Sequence, residues 1–240
     1  MRFHPGHFSR RCAPMRSGEG ARMDPAAFVT ELEQALDQVL RRLTPEDTLR
    51  ADLDGEPTVE RLLKVALRSE LEAAEIAARW MATTPGVEVK LAFARQVGDE
   101  AKHYRLIEER LRDLGVNLAG FNPLAKGYGE LYLYLTTLSG MVERIAATQF
   151  AREAIATVWN RQFIALCERQ GDATTARLYR EVVQVDEEFH HELGKKLLAR
   201  YATTPQQQAK ARAAVNRTLE LAEEVQNLYA RQGMRHAPSS

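Results

Sequence analysis

Two stretches decide how this chain is read: Asp99-Glu100-Ala101-Lys102-His103 and Asp186-Glu187-Glu188-Phe189-His190. Each writes Asp-Glu-x-x-His inside a long helical pattern, and each follows another helix that carries a lone Glu. Residues three apart on a helix share a face, so Glu100 with His103, and Glu187 with His190, each offer a carboxylate and an imidazole to one ion. Two such pairs predict a dinuclear metal site.

The choice of the lone glutamates rests on helical faces. Around Glu70 the residues three, four and seven positions away are Leu63, Ala66, Leu67, Ala73, Ala74 and Ala77, all apolar. An unpaired carboxylate buried there is costly unless something binds it. Glu72 shares its face with Arg68, Ser69, Glu75 and Arg79 and reads as solvated surface. On the third long helix Glu153, beside Ala146, Gln149, Phe150, Ala156 and Thr157, is preferred, with Glu143 as the fallback. The overlapping pair Glu188 and His191 falls among Glu181, Gln184, Glu192 and Lys195 and is expected to face water. Glu100 lies 30 positions after Glu70 (100 − 70) and Glu187 lies 34 after Glu153 (187 − 153), so the two halves agree. A di-metal bundle takes one Glu from each of two helices and Glu-x-x-His from each of the other two. That set is Glu70, Glu100, His103, Glu153, Glu187 and His190.

Asp99 and Asp186 stand about one residue off the donor face, where each can accept the free ring N–H of a metal-bound histidine and fix its tautomer. The neighbours of Asp186 (Val182, Val183, Phe189, Leu193) favour burial. Asp99 reads equally well as surface.

The rest of the chain predicts an all-α fold, because helical periodicity runs from Asp24 onward and no alternating strand pattern of useful length interrupts it. Residues 1–22, rich in Arg, Pro, Gly and Ser, are expected to be a disordered extension, with Met23-Asp24-Pro25 a plausible true start. Residues 23–57 are read as an extra helix from about Pro25 to Leu43 and a polar linker from Thr44 to Pro57. The bundle occupies 58–201, with helices from about Thr58 to Ala82, Pro85 to Leu114, Gly129 to Gln170 with a kink at Ser139-Gly140, and Asp172 to Tyr201. Residues 202–240 form a C-terminal helix from about Pro205 and a tail. Ala82-Thr83-Thr84-Pro85 and Ala202-Thr203-Thr204-Pro205 both predict a Thr cap with Pro at the first helical position. Short links make two antiparallel hairpins, and the stretch from Gly115 to Tyr128 is long enough to cross the bundle between them.

Composition narrows the function. The 240 residues carry 33 basic and 33 acidic side chains, which gives no general pull toward nucleic acid or an anionic membrane. Two cysteines, Cys12 and Cys167, are too few for a disulfide framework or a four-cysteine iron site, so electrons must come from a separate protein. No apolar run approaches the roughly 20 residues that span a bilayer, and a cytoplasmic location is expected.

The donor pattern over about Thr58 to Tyr201 resembles the ferritin-like superfamily of non-haem di-iron carboxylate proteins, and its spacing is similar to that of di-iron monooxygenase hydroxylases. The resemblance implies a four-helix bundle of two hairpins joined by a long crossover, here with extra N- and C-terminal helices. It implies two iron ions, with a manganese/iron pair or adventitious zinc allowed by affinity order. It also implies O₂ activation, hydroxylation of a small organic substrate, and an external electron-transfer protein; a homodimer is compatible with it. Thr157, one turn after Glu153, stands where those hydroxylases carry an active-site Thr, and reads equally as a helix threonine bonded back to a carbonyl. A ferroxidase or rubrerythrin-like peroxide scavenger is the alternative, and a non-enzymatic helical binding protein the second. Phe93, Phe150 and Trp80 suit either a pocket or plain core, and Tyr104, Tyr179 and Tyr201 read as packing.

Overall fold

The computed structural model describes residues 23–43, Leu49 and 56–235, with side chains described as far as residue 225. The expected N-terminal extension, most of the Thr44–Pro57 linker and the last five residues lie outside the described residues. Seven helices and no strand occur among them. None of these helices is long and apolar enough to cross a membrane.

Helix α1 (Pro25–Leu40) starts where Asp24 accepts from the amides of Ala26 and Ala27 at 3.0 and 3.2 Å, with Pro25 supplying a first residue that has no amide hydrogen. Its buried stripe, Phe28, Val29, Leu32 and Leu36, lies against the last two helices. Helix α2 (Val59–Thr83) is capped by Thr58, whose hydroxyl accepts from Arg61 at 3.3 Å, and it pairs along its length with α3 (Val87–Asp113). The two Thr-Thr-Pro breaks differ. At the second, Pro205 opens α7 (Pro205–Arg235), and Thr204 and Gln207 exchange hydrogen bonds as a capping box. At the first, Pro85 stays outside the helix and Gly86 precedes Val87 with φ +90°, a conformation open to glycine, so the expected Pro start is corrected there.

The crossover over 114–129 ends where Glu72 accepts from the Gly129 amide at 2.8 Å and Tyr128 donates to Glu75 at 2.7 Å. Glu72 is therefore half-buried, a correction to its reading as plain surface. The long third helix expected from Gly129 is two helices. Helix α4 (Glu130–Thr136) ends before an irregular turn, and α5 covers 141–169. The break falls at the expected Ser139-Gly140, where the Glu143 carboxylate folds back so closely that any Cβ on Gly140 would sit 1.9 Å from it. Helix α5 contains a π-helical stretch, Ala146–Arg152, directly before Glu153. Helix α6 covers 173–201, begins at the Asp172 cap, and has its own π-helical stretch, Tyr179–Val183, ending four residues before Glu187. Neither π stretch is visible in the periodicity.

Helices α2, α3, α5 and α6 form the bundle, with α1, α4 and α7 packed outside. Its interior is two apolar cores. One gathers Trp80, Phe93, Phe150 and Leu197; the other gathers Leu63, Leu67, Ile107, Phe163 and Tyr179. Trp80, Phe93, Phe150 and Tyr179 are closed core residues. Glu70 stands on α2 between Leu67 of one core and Ile76 of the other, so the polar layer is sandwiched between two dry regions.

Candidate metal centre

Carboxylates do not enter an apolar interior without compensation, yet four of them meet here. Glu70 of α2, Glu100 of α3, and Glu153 and Glu187 of α5 and α6 are all buried, as are His103 and His190. Their donor atoms fall into two overlapping groups: Glu70, Glu100, His103 and Glu187, and Glu100, Glu153, Glu187 and His190. Within each, one donor atom per residue lies within 4.8 Å of the others. Nδ1 of His103 is 3.4 Å from Glu70, 3.6 Å from Glu100 and 3.8 Å from Glu187; Nδ1 of His190 is 3.5 Å from Glu187. Two donors that share one divalent ion at about 2.1 Å each are separated by roughly 3 to 4 Å.

The outer nitrogens of the imidazoles are equally well defined. Nε2 of His103 meets Asp186 at 3.0 Å, and Nε2 of His190 meets Asp99 at 3.1 Å. Each aspartate serves the histidine of the other motif, so α3 and α6 are cross-linked twice. Lys102 lies over this seam and donates to Asp186 at 2.5 Å and to Asp99 at 3.3 Å. Burial pushes the Asp186 carboxyl up, but Lys102 and His103 outweigh it and hold the group below its usual range. With Nε2 turned to an aspartate, Nδ1 of each ring is the nitrogen that faces the carboxylates and is the one left to bind an ion.

Protonation follows from crowding. Burial pushes the Glu70 carboxyl to about 8, and burial together with the neighbouring Glu100 and Glu153 pushes Glu187 well above the carboxylate range. Burial also acts on Glu100, but His103 and the Arg152 guanidinium hold it at about 2. Burial lowers the His103 basicity, and the Glu100 and Glu70 carboxylates beside its ring more than reverse this, to about 11. The layer holds protons where ions would sit.

Whether the residues fit a metal pair is decided by their orphan atoms. Oε2 of Glu70, Glu100 and Glu187, and Nδ1 of both histidines, are buried with no hydrogen-bond partner among the described residues. Five stranded donors around one point are costly unless cations satisfy them. An oxygen-rich set with one imidazole per group suits a pair of divalent first-row metals, so the residues fit.

Other expected positions fall elsewhere. Thr157 is buried, and its hydroxyl donates to the Ala154 carbonyl at 2.8 Å. The fallback Glu143 lies beside Gly140 and 4.0 Å from Lys210, away from both donor groups. Glu188 is exposed and pairs with Arg161, as expected for a solvated face. His191 is not solvated: it is half-buried, its Nδ1 meets the Phe150 carbonyl at 2.7 Å, and its ring packs on Phe150. Sequence reasoning missed three polar neighbours, Lys102, Gln96 and Arg152. Lys102 sits inside the first motif. Gln96, one turn before Glu100, donates to Glu153 at 2.6 Å, and Arg152, next to Glu153, is unreadable without the π turn.

No curated protein and no solved structure matches this chain. The family of the ubiquinone biosynthesis protein COQ7 does, over residues 57–219, a span that takes in all six donors, both aspartates and the helices that carry them. This chain therefore belongs to the COQ7 family of di-iron carboxylate hydroxylases.

Proposed function

We propose that this chain hydroxylates the ring of a quinone precursor, with two iron ions held by Glu70, Glu100, His103, Glu153, Glu187 and His190 and electrons delivered by a separate reductase. The observation that carries the reading is the set of five buried, partnerless donor atoms turned toward one another between two apolar cores. The ring substrate is taken from the family's connection to ubiquinone biosynthesis.

Iron bound there supplies O₂ activation and the two-electron oxidation of the substrate. The chain supplies the rest. Asp186 and Asp99 fix the histidine tautomers, Lys102 keeps Asp186 ionised and donates to Asp99, and Glu70 and Glu187 give up their protons as ions arrive. The cores around Phe93 and Phe163 keep water from the donors, which strengthens every charge interaction between them.

The test is reduced, iron-loaded protein given ¹⁸O₂, a chemical reductant and a benzoquinone precursor lacking one ring hydroxyl. Label in the ring of the product is expected. Rapid iron oxidation or peroxide consumption, with no label in the organic compound, would overturn the hydroxylase reading in favour of a ferroxidase or peroxide scavenger.

A further inference from the structure

The six donors differ in what already holds them. Glu70, Glu100, Glu187, His103 and His190 each present a buried atom with no partner among the described residues. Glu153 does not. Both of its oxygens are taken: Arg152 Nη1 donates to Oε1 at 3.1 Å and to Oε2 at 3.2 Å, and Gln96 adds a bond to Oε1 at 2.6 Å.

Adjacent residues on a regular α-helix point about a quarter-turn apart and do not meet. Arg152 reaches Glu153 because it closes the π-helical stretch Ala146–Arg152. Its guanidinium is fixed from the other side as well. Nη2 donates to the Ser69 carbonyl at 3.2 Å and hydroxyl at 3.1 Å, next to Glu70 on α2, and Nη1 stands 3.7 Å from Glu100. The side chain is 11% exposed, so this charge is not dissipated in solvent.

Glu153 belongs to the donor group of His190 and not to that of His103. The His103 group is thus free to close on an ion, whereas the His190 group must first take Glu153 from Arg152 and Gln96. Charge acts in the same direction. The first divalent ion meets one resident cation, the Arg152 guanidinium; the second meets that guanidinium and the first ion together.

We propose that Arg152 is a resident cation that holds Glu153 back, so that the ion at His103 binds first and the ion at His190 binds second and more weakly. This rests on the dinuclear reading of the site. An arginine suits the role because its two terminal nitrogens serve different partners, Nη1 both oxygens of Glu153 and Nη2 Ser69; the single nitrogen of a lysine cannot span both.

The experiment is an oxygen-free titration of the full chain, stripped with chelator, with cobalt(II), read by calorimetry and by the visible ligand-field bands. Two steps are expected, the second weaker by about tenfold or more, the scale of one charge-assisted hydrogen bond. Arg152→Met is expected to tighten the second step about tenfold and the first by less, since Arg152 is hydrogen-bonded to Glu153 but stands 3.7 Å from Glu100. Ser69→Ala, which loosens Arg152 without touching a donor, is expected to tighten the second step about threefold, and it decides the matter if Arg152→Met does not fold. Two ions bound in one step, or a second step unmoved or weakened in the variant that folds, overturns the role of Arg152 alone. No cobalt uptake by the parent chain overturns the dinuclear reading with it.

Discussion

Asp186 of α6 accepts from His103 of α3 at 3.0 Å across 83 residues of sequence, and the reverse pair, Asp99 with His190, closes the same seam at 3.1 Å. Each Asp-Glu-x-x-His motif thus orients the imidazole of the other, so neither half of the site is complete alone. Asp186→Ala and Asp99→Ala are each expected to weaken metal binding by about 10- to 100-fold while helicity is retained. Lys102→Met, which strips one cation from both aspartates, should weaken both ions together. Equilibrium metal titration checks all three.

Glu100→Ala should abolish stoichiometric metal binding with the helical signal intact, because Glu100 belongs to both donor groups, whereas His190→Ala should remove the second ion and leave the one at His103. Glu72→Ala should leave metal content unchanged and cost about 1 kcal/mol, since its carboxylate holds the Gly129 amide at the end of the crossover. Metal analysis and thermal unfolding on the same samples separate the two effects.

Chelator-stripped protein should lose stability as pH rises from about 5 to 8. Glu70, raised from 4.5 to about 8, favours the fold fully below 4.5 and loses that contribution as pH climbs through 8. His103, raised from 6.5 to about 11, acts in the same direction above 6.5. Glu100, held at about 2, acts oppositely and only below 4.5. Metal affinity should rise over the same window, because the ions displace these protons. Tm against pH with and without metal, and calorimetry in buffers of different ionisation enthalpy, read both trends.

Gly194→Ala should be costly although it adds one methyl group. A Cβ there would stand 2.7 Å from the Gln149 carbonyl carbon and 2.8 Å from the Phe150 amide nitrogen, both backbone atoms of the π stretch that leads to Glu153. A loss of about 1–3 kcal/mol is expected, together with a weaker second metal ion. Chemical denaturation and metal titration test it.

Thr157→Val should leave metal stoichiometry unchanged, since the hydroxyl donates to Ala154 in its own helix. A fall in turnover at full metal loading would assign that hydroxyl to the reaction; unchanged turnover would leave it a helix bond.

The buried cluster of carboxylates and histidines is legible because burial of charge leaves a local mark: Glu70 amid alanines and leucines can be told from Glu72 amid arginines. Helix ends at Thr58 and Thr204 are legible for the same reason, being set by side chains within a turn. Arg152 and the two π stretches are not legible. A π turn inserts one residue into a helix without a composition of its own, and it changes which neighbour a side chain meets. His191 escaped for a related reason: its contact, the Phe150 carbonyl, belongs to a helix 41 positions away whose backbone is shifted by such a turn.

The most direct test is iron per chain in protein purified from iron-replete cells, compared with His103→Ala and His190→Ala prepared alongside. About two irons are expected in the parent chain, the dinuclear count of such bundles, and no more than about one in each variant. A parent chain holding a single zinc, or two irons that survive both substitutions, would contradict the dinuclear site.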